Sequence, residues 1–207
     1  ITLVSESASS TAANRFGFVY DCVIGPNETV ELVYSSTGSR WRLVGNRKRI
    51  IFSQTSSVTV GNSAAEATIL SSATGNKTIP ANTLSAGSNI KILLYGVCSR
   101  RAPRTINIRV KIGGTTVLTT GAVNPGTSTN IACKIEAEID VRSLGAGGAM
   151  IGQGQYTTFG QTALPMSNTA TSAIDTTVAN AIDVTAQWSA AAADSTITIT
   201  NGTIEVT

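Results

Sequence analysis

The chain has 207 residues, carries 15 Lys and Arg against 12 Asp and Glu, and contains no His. Without His it cannot build His-ligated metal sites, Ser-His-Asp triads or Cys-His dyads, and the lack of any run of about 18 apolar residues speaks against a membrane-spanning helix. The length suits one domain, or one domain with a small companion, and is enough to bury roughly 70% of the unfolded surface without disulfide or metal staples.

The chain begins at Ile1 with no Met and no basic, apolar leader, and so reads as a processed or partial chain. In chain order, short strands are expected at Phe16–Ile24, Thr29–Tyr34, Arg40–Val44, Ile50–Phe52, Val58–Val60, Ala67–Leu70 and Ile90–Val97. Pro26-Asn27 and Gly38-Ser39 are turn signals between the first of these. Pro80 ends the strand of Ile79, Asn82 turns the chain through its own backbone, and Gly87 opens the strand that follows.

Longer strands then alternate cleanly. Ile106, Ile108, Val110 and Ile112 share one face, with Asn107, Arg109 and Lys111 on the other. Gly113-Gly114 makes a hairpin into Thr115–Leu118. Ile131, Cys133, Ile135, Ala137, Ile139 and Val141 alternate with Lys134, Glu136, Glu138, Asp140 and Arg142, which places Cys133 inward. Ile182, Val184, Ala186 and Trp188 repeat the pattern. Ile197 and Ile199 alternate with threonines, and Asn201-Gly202 reads as a hairpin turn before Ile204 and Val206. No window carries a helical stripe. The whole is an all-β chain, a sandwich by the spacing of its strands.

A boundary is expected at Gly45–Ser57, where a polar, basic run precedes a weakly hydrophobic spacer. This gives a small β module at 1–45, a linker at 46–57 and a jelly-roll-like antiparallel sandwich at 58–207. The module is thin for an independent core and is expected to need a partner chain. Cys22, Cys98 and Cys133 are odd in number and widely spaced, so they read as buried free thiols. Trp41 and Trp188 close apolar patterns and are expected inside.

Residues 1–142 hold all the basic residues, and 143–207 hold four acids and no base. Two basic knots stand out, Arg40, Arg42, Arg47, Lys48 and Arg49, then Arg100, Arg101 and Arg104. They read as a solvated linker and a solvated hairpin tip, and no nucleic-acid partner is expected.

Two stretches carry a resemblance. Ile1-Thr2-Leu3, Arg15-Phe16-Gly17-Phe18-Val19, Glu28-Thr29-Val30-Glu31-Leu32-Val33 and Ser39-Arg40-Trp41-Arg42-Leu43-Val44-Gly45 together resemble the small β module of phage tail fibres and spikes. Thr78-Ile79-Pro80-Ala81-Asn82-Thr83-Leu84-Ser85-Ala86-Gly87 is similar to an element of phage virion proteins. The strands Ile90–Val97, Ile108–Gly121 and Ile135–Gly148, and the tail from Ile174 to Gly202, continue that likeness. The resemblance implies a jelly-roll domain on a phage particle, a location on the virion surface, and a homotrimer built around the 1–45 module. Its partners would be other virion proteins and a host-surface glycan or protein. A capsid decoration, cement or head-fibre protein without a receptor role is the alternative it allows.

Enzymatic chemistry narrows to carboxylates. Glu136, Glu138 and Asp140 share a strand face at spacings of about 6.5–7 Å, a distance suited to glycoside cleavage. An ordinary solvent face balanced by Lys134 and Arg142 accounts for them equally well, and a non-enzymatic protein is the expectation. The acids lack the loop pattern of a calcium site. Gly145–Gly148 and Gly152–Gln155 lack the Lys-Ser/Thr of a phosphate loop and read as a wide turn and a bulged strand. No cofactor is expected. The sequons at Asn27, Asn76 and Asn201 are common in so Thr-rich a chain. The candidate binding patch is Gln153, Gln155, Tyr156, Phe159 and Gln161, with Thr158 among them. Amides there bond sugar hydroxyls and rings stack on the apolar sugar face, unless Tyr156 and Phe159 are core or interface anchors.

Overall fold

The computed structural model describes all residues except 1, 5–6, 12–14, 18–21, 24–29, 37–38, 44–48, 73–76 and 169, and the backbone alone at 2, 22–23, 43 and 49. The chain divides into two compact units, Ile1–Lys48 and Arg49–Thr207. Parts of the expected strands at 16–24 and 29–34, the basic residues Arg47 and Lys48, and the sequons at Asn27 and Asn76 lie outside the described residues.

The first unit holds two hairpin-like pairs. β1 (Thr2–Leu3) pairs antiparallel with β2 (Cys22–Val23), and β3 (Leu32–Ser35) pairs antiparallel with β4 (Arg40–Leu43). Arg15–Gly17 docks beside β4 through backbone bonds to Trp41. Trp41 is not buried as expected. It is 38% exposed and meets Tyr34 edge-to-face at 5.4 Å.

The second unit contains the buried core. Its large sheet runs β14 (Leu164–Ser167), β13 (Ala149–Thr158), β12 (Ser128–Ser143), β9 (Asn89–Arg100), β17 (Thr196–Val206) and β5 (Arg49–Gln54). β6 (Val58–Gly61) continues the edge along β17, and β15 (Ser172–Ala173) pairs with β13. The facing sheet runs β11 (Thr115–Thr119), β10 (Ile106–Ile112), β16 (Asn180–Trp188) and β7 (Ala67–Thr68), with β8 (Thr78–Ile79) also on β16.

The pairing is nested. The first strand of the unit pairs with the last, β7 and β8 pair with the last but one, β9 pairs with β12, and β10 pairs with β11. A long antiparallel ribbon rolled up in this way is a jelly roll. β13 and β14 are added at its β12 edge.

Alternation fills the space between the sheets. Ile90, Ile92, Leu94 and Cys98 from β9, Ile135, Ala137, Ile139 and Val141 from β12, and Ile182, Val184, Ala186 and Trp188 from β16 are all buried. Trp188 donates its indole N–H to the Val60 carbonyl at 3.2 Å, so its polar edge is satisfied inside.

Several expectations are corrected. Residues 49–57 are not a spacer, since β5 is the first strand of the sandwich and buries Ile51, Phe52 and Gln54. The Gln54 amide donates to the Ile69 and Ile199 carbonyls and accepts from the Ser71 N–H, which satisfies it within the core. Asn201-Gly202 is not a hairpin turn. β17 runs through it, with the extra residue Thr200 bulging against β9 between Ile199 and Asn201. The bulge moves the inward side chains from Ile197 and Ile199 to Ile204, a change of phase that a turn would also produce. Gly152 and Gly154 sit in regular register with β12 rather than in a bulge, and a Cβ at either would meet β12 backbone within 2.7 Å.

Candidate functional site

Strand directions sort the loops of the sandwich into two ends. At one end Arg49 pairs with Val206, and Asn89 exchanges backbone bonds with Thr207. The Gly113-Gly114 hairpin and the turn at 143–148 lie there too, tied to Ala181 and to Ile174 and Thr176. At the other end gather five loops of described residues, 62–66, 101–105, 120–127, 159–163 and 189–195. Four are stitched together by Asn62 N–H to the Ser195 carbonyl, Ala102 N–H to Thr127 Oγ1, and an Arg104–Asp194 ion pair, and 159–163 joins them through Arg100, which bonds Thr158 at its start and the Gly126 carbonyl. β9 crosses from one end to the other in 12 residues, a span of about 40 Å.

Of the basic residues at this second end, Arg101 is exposed as expected, whereas Arg100 and Arg104 are not solvated in the same way. Arg100 is only 2% exposed. It continues the inward phase of β9 after Leu94 and Cys98, so alternation alone carries its side chain inside. Its guanidinium donates from Nε to the Gly126 carbonyl at 2.7 Å and from Nη2 to Thr158 Oγ1 at 3.3 Å, and lies 4.0 Å from Cys98 Sγ. Arg104 is committed to Asp194.

Around Arg100 lie Cys98, Cys133 and Tyr156, all buried. Both cysteines are free, as expected. Burial pushes the Cys98 thiol up, and burial with the nearby Cys98 pushes Cys133 up to about 12. Burial, reinforced by the two thiols, also holds the Tyr156 phenol well above its usual range. At neutral pH all three are protonated, so the cluster around Arg100 offers no nucleophile.

The candidate patch therefore divides. Tyr156 is a core residue, fully buried opposite Ile135, and cannot contact a ligand at the surface. Gln153 and Gln155 face outward on β13, beside Glu138 and Glu136. Phe159 and Gln161 lie in the loop beyond β13, where Phe159 is 80% exposed. The structure supplies an aromatic in place of Tyr156 that the sequence reading left inside a strand. Tyr95 of β9 projects outward across from Lys134, which is in turn beside Thr157 of β13. Its place was legible in the alternation of β9, where 90, 92 and 94 face in and 95 does not.

The acids of β12 have structural partners. Lys134 Nζ donates to Glu136 at 2.6 Å and Gln155 Nε2 to the same oxygen at 3.4 Å, and these bonds lower the Glu136 pKa. Glu138 pairs with Lys91 at 2.8 Å, and Asp140 accepts from Asn89 at 2.7 Å. Lys134, as expected, and cross-strand Lys91 supply the charges that balance Glu136 and Glu138, and the neutral Asn89 amide bonds Asp140. On the opposite sheet Glu66 bridges Lys111 and Arg109 and accepts from Thr185, which holds its carboxyl below the usual range. Among the described residues no group of three or more His, Cys, Asp or Glu is placed to hold a metal ion.

Comparison with protein-family models, with curated proteins and with solved structures found no match to this chain.

Proposed function

We propose that this chain is a non-enzymatic structural protein of a bacteriophage virion, a fibre or spike whose jelly roll is displayed to bind a host surface. The observation that carries the reading is the separation of the two ends of the sandwich. The chain comes into the fold at Arg49 at one end, and the five stitched loops lie at the other, one strand length away. A domain held at Arg49 thus offers its loop end outward. The resemblance of 1–45 and 58–207 to fibre and virion elements supplies the setting.

The row of acids supports a non-catalytic role, because Glu136 and Glu138 are engaged by lysines on a flat sheet rather than set across a cleft. The homotrimer is supported by the first unit, where the paired Tyr34 and Trp41 are exposed on one face of the β3–β4 ribbon and Val33 on the other. A partner copy would bury that surface.

The test is immunogold electron microscopy of intact phage with antibody to the full chain, alongside native mass spectrometry and binding of the purified chain to susceptible cells. Label at tail or fibre tips, a trimer mass and saturable cell binding are expected. Label spread over the head with no cell binding would replace the reading with capsid decoration. A stable monomer at micromolar concentration would remove the trimer.

A further inference from the structure

Phe159 is 80% exposed, yet its backbone is held by hydrogen bonds on both sides. The Gln161 N–H donates to the Thr158 carbonyl at 3.0 Å, with Gly160 between them at φ +73°. This is a β-turn with its left-handed residue at the third position, which glycine favours. The Phe159 N–H donates to the Ala132 carbonyl at 2.9 Å, tying the turn to β12.

The residue before the ring, Thr158, is buried and accepts from the Arg100 guanidinium. The residue two after it, Gln161, places its amide oxygen where a side chain at Gly126 would stand, and the Gly126 carbonyl accepts from the same guanidinium. Arg100 thus fastens the first foot of the turn directly and steadies the segment beside the second. Among the described residues it has no hydrogen bond to a carboxylate, and a buried charge without one is costly to keep. Core packing does not need it, since an apolar side chain would fill the same space. Two of its three contacts, to Thr158 and to the Gly126 carbonyl, hold the start of the turn against 126.

We propose that this turn is a prebuilt carbohydrate contact, in which the Phe159 ring stacks on the apolar face of a pyranose and Arg100 is the positioning residue that holds it. The inference rests on the host-surface reading above and names the ligand class for it. A ring fixed before binding loses little freedom on contact. On its loop side the ring is bordered by exposed Gly160, Gln161 and Thr162, which offer backbone, amide and hydroxyl groups to the hydroxyls of a sugar stacked on the ring. On the adjoining sheet face, Ala132, Val97 and Tyr95 are also exposed. Tyr95 lies two strands across from Thr157, about 10 Å by strand spacing, and Phe159 is two residues beyond Thr157, so a second ring stands on the same face for a more distant unit of an extended oligosaccharide.

The experiment applies the full chain to an immobilised array of neutral hexose and N-acetylhexosamine oligosaccharides with uronate- and sialyl-bearing ones beside them. Binding to at least one class is expected. Phe159→Ala should weaken it by about tenfold or more, Phe159→Tyr should hold it within about threefold because the ring is kept, and Gly160→Ala should weaken it by straining the turn while leaving the ring in place. Arg100→Met should lower affinity at an unchanged or raised melting temperature. If that variant fails to fold, Gly160→Ala still decides whether fixation of the turn matters.

Sugar binding untouched by Phe159→Ala overturns the inference. So does wild-type binding to susceptible cells that survives periodate oxidation of their glycans, or a drop in oligomer mass with Phe159→Ala. No binding to cells or sugars by the wild type overturns the host-surface reading itself.

Discussion

Cys98 and Cys133 show how much of a residue's chemistry follows from alternation. Cys133 was legible as inward from its place between Ile131 and Ile135, and Cys98 lies diagonally across the same sheet. Burial raises both thiols, so each folded-state pKa lies above its unfolded value, and their contribution to stability is complete below the ordinary thiol range. It is lost as pH rises from about 8.5 toward the value of about 12 for Cys133. In a Cys22→Ser background, neither thiol should react with an aromatic disulfide reagent at pH of about 8 until the chain is unfolded. Stability measured by urea titration should stay level to about pH 8.5 and then decline, and Cys133→Ala should flatten that decline. Fast labelling of the native protein at neutral pH would contradict the burial. Arg100 was not legible in the same way. A sequence window that sees Arg100, Arg101 and Arg104 registers charge density and reads a solvated tip. Only the phase of the whole of β9 shows that the first of the three faces the core.

At the scale of the element, the pairing of β9 with β17 carries an irregularity that explains a glycine. Gly96 stands opposite Ile199, just before the bulge at Thr200, where the backbone of β17 presses onto β9. A Cβ at Gly96 would lie 1.9 Å from the Thr198 carbonyl oxygen. Gly96→Ala should therefore destabilise the sandwich by about 1–3 kcal/mol, read as a lower urea midpoint with an unchanged slope, whereas alanine at Gly114 lacks any such neighbour. The strands of 106–112, 131–141 and 182–188 could be read directly because each keeps one phase throughout. β17 could not, because its apolar residues change phase, and sequence alone offers both a hairpin and a bulge as the cause. The neighbour decided it: a 12-residue β9 provides a continuous template for one strand of 11 residues. The sequence ends β5 at Phe52 for a related reason, since Gln54 has the polarity of a solvent residue and only its three hydrogen bonds to the Ile69, Ile199 and Ser71 backbone place it in the core.

At the scale of the whole molecule, every residue of the described hydrophobic core lies between Ile51 and Ile204. A chain cut to residues 49–207 should thus unfold cooperatively by itself, with a melting temperature close to that of the second unit in the full chain. A chain cut to residues 58–207 loses Ile51 and Phe52 and the partner of the last half of β17. Its melting temperature should fall by about 10–20 °C, from a loss of roughly 5 kcal/mol. Calorimetry on the two fragments distinguishes a spacer from a first strand. Equal melting temperatures would return 49–57 to the status of linker.

The rungs that join β5 to β17 also give the sandwich a mechanical direction. Arg49 and Val206 face each other at one end, so tension that draws those two ends apart opens the pair one rung at a time, as a zipper. Tension between Arg49 and the Phe159 turn, at the opposite end, instead runs lengthwise along the strands and loads many hydrogen bonds together. The fold is weak to peeling and strong to a pull along its length, the loading that a tethered particle would impose on the grip that holds it.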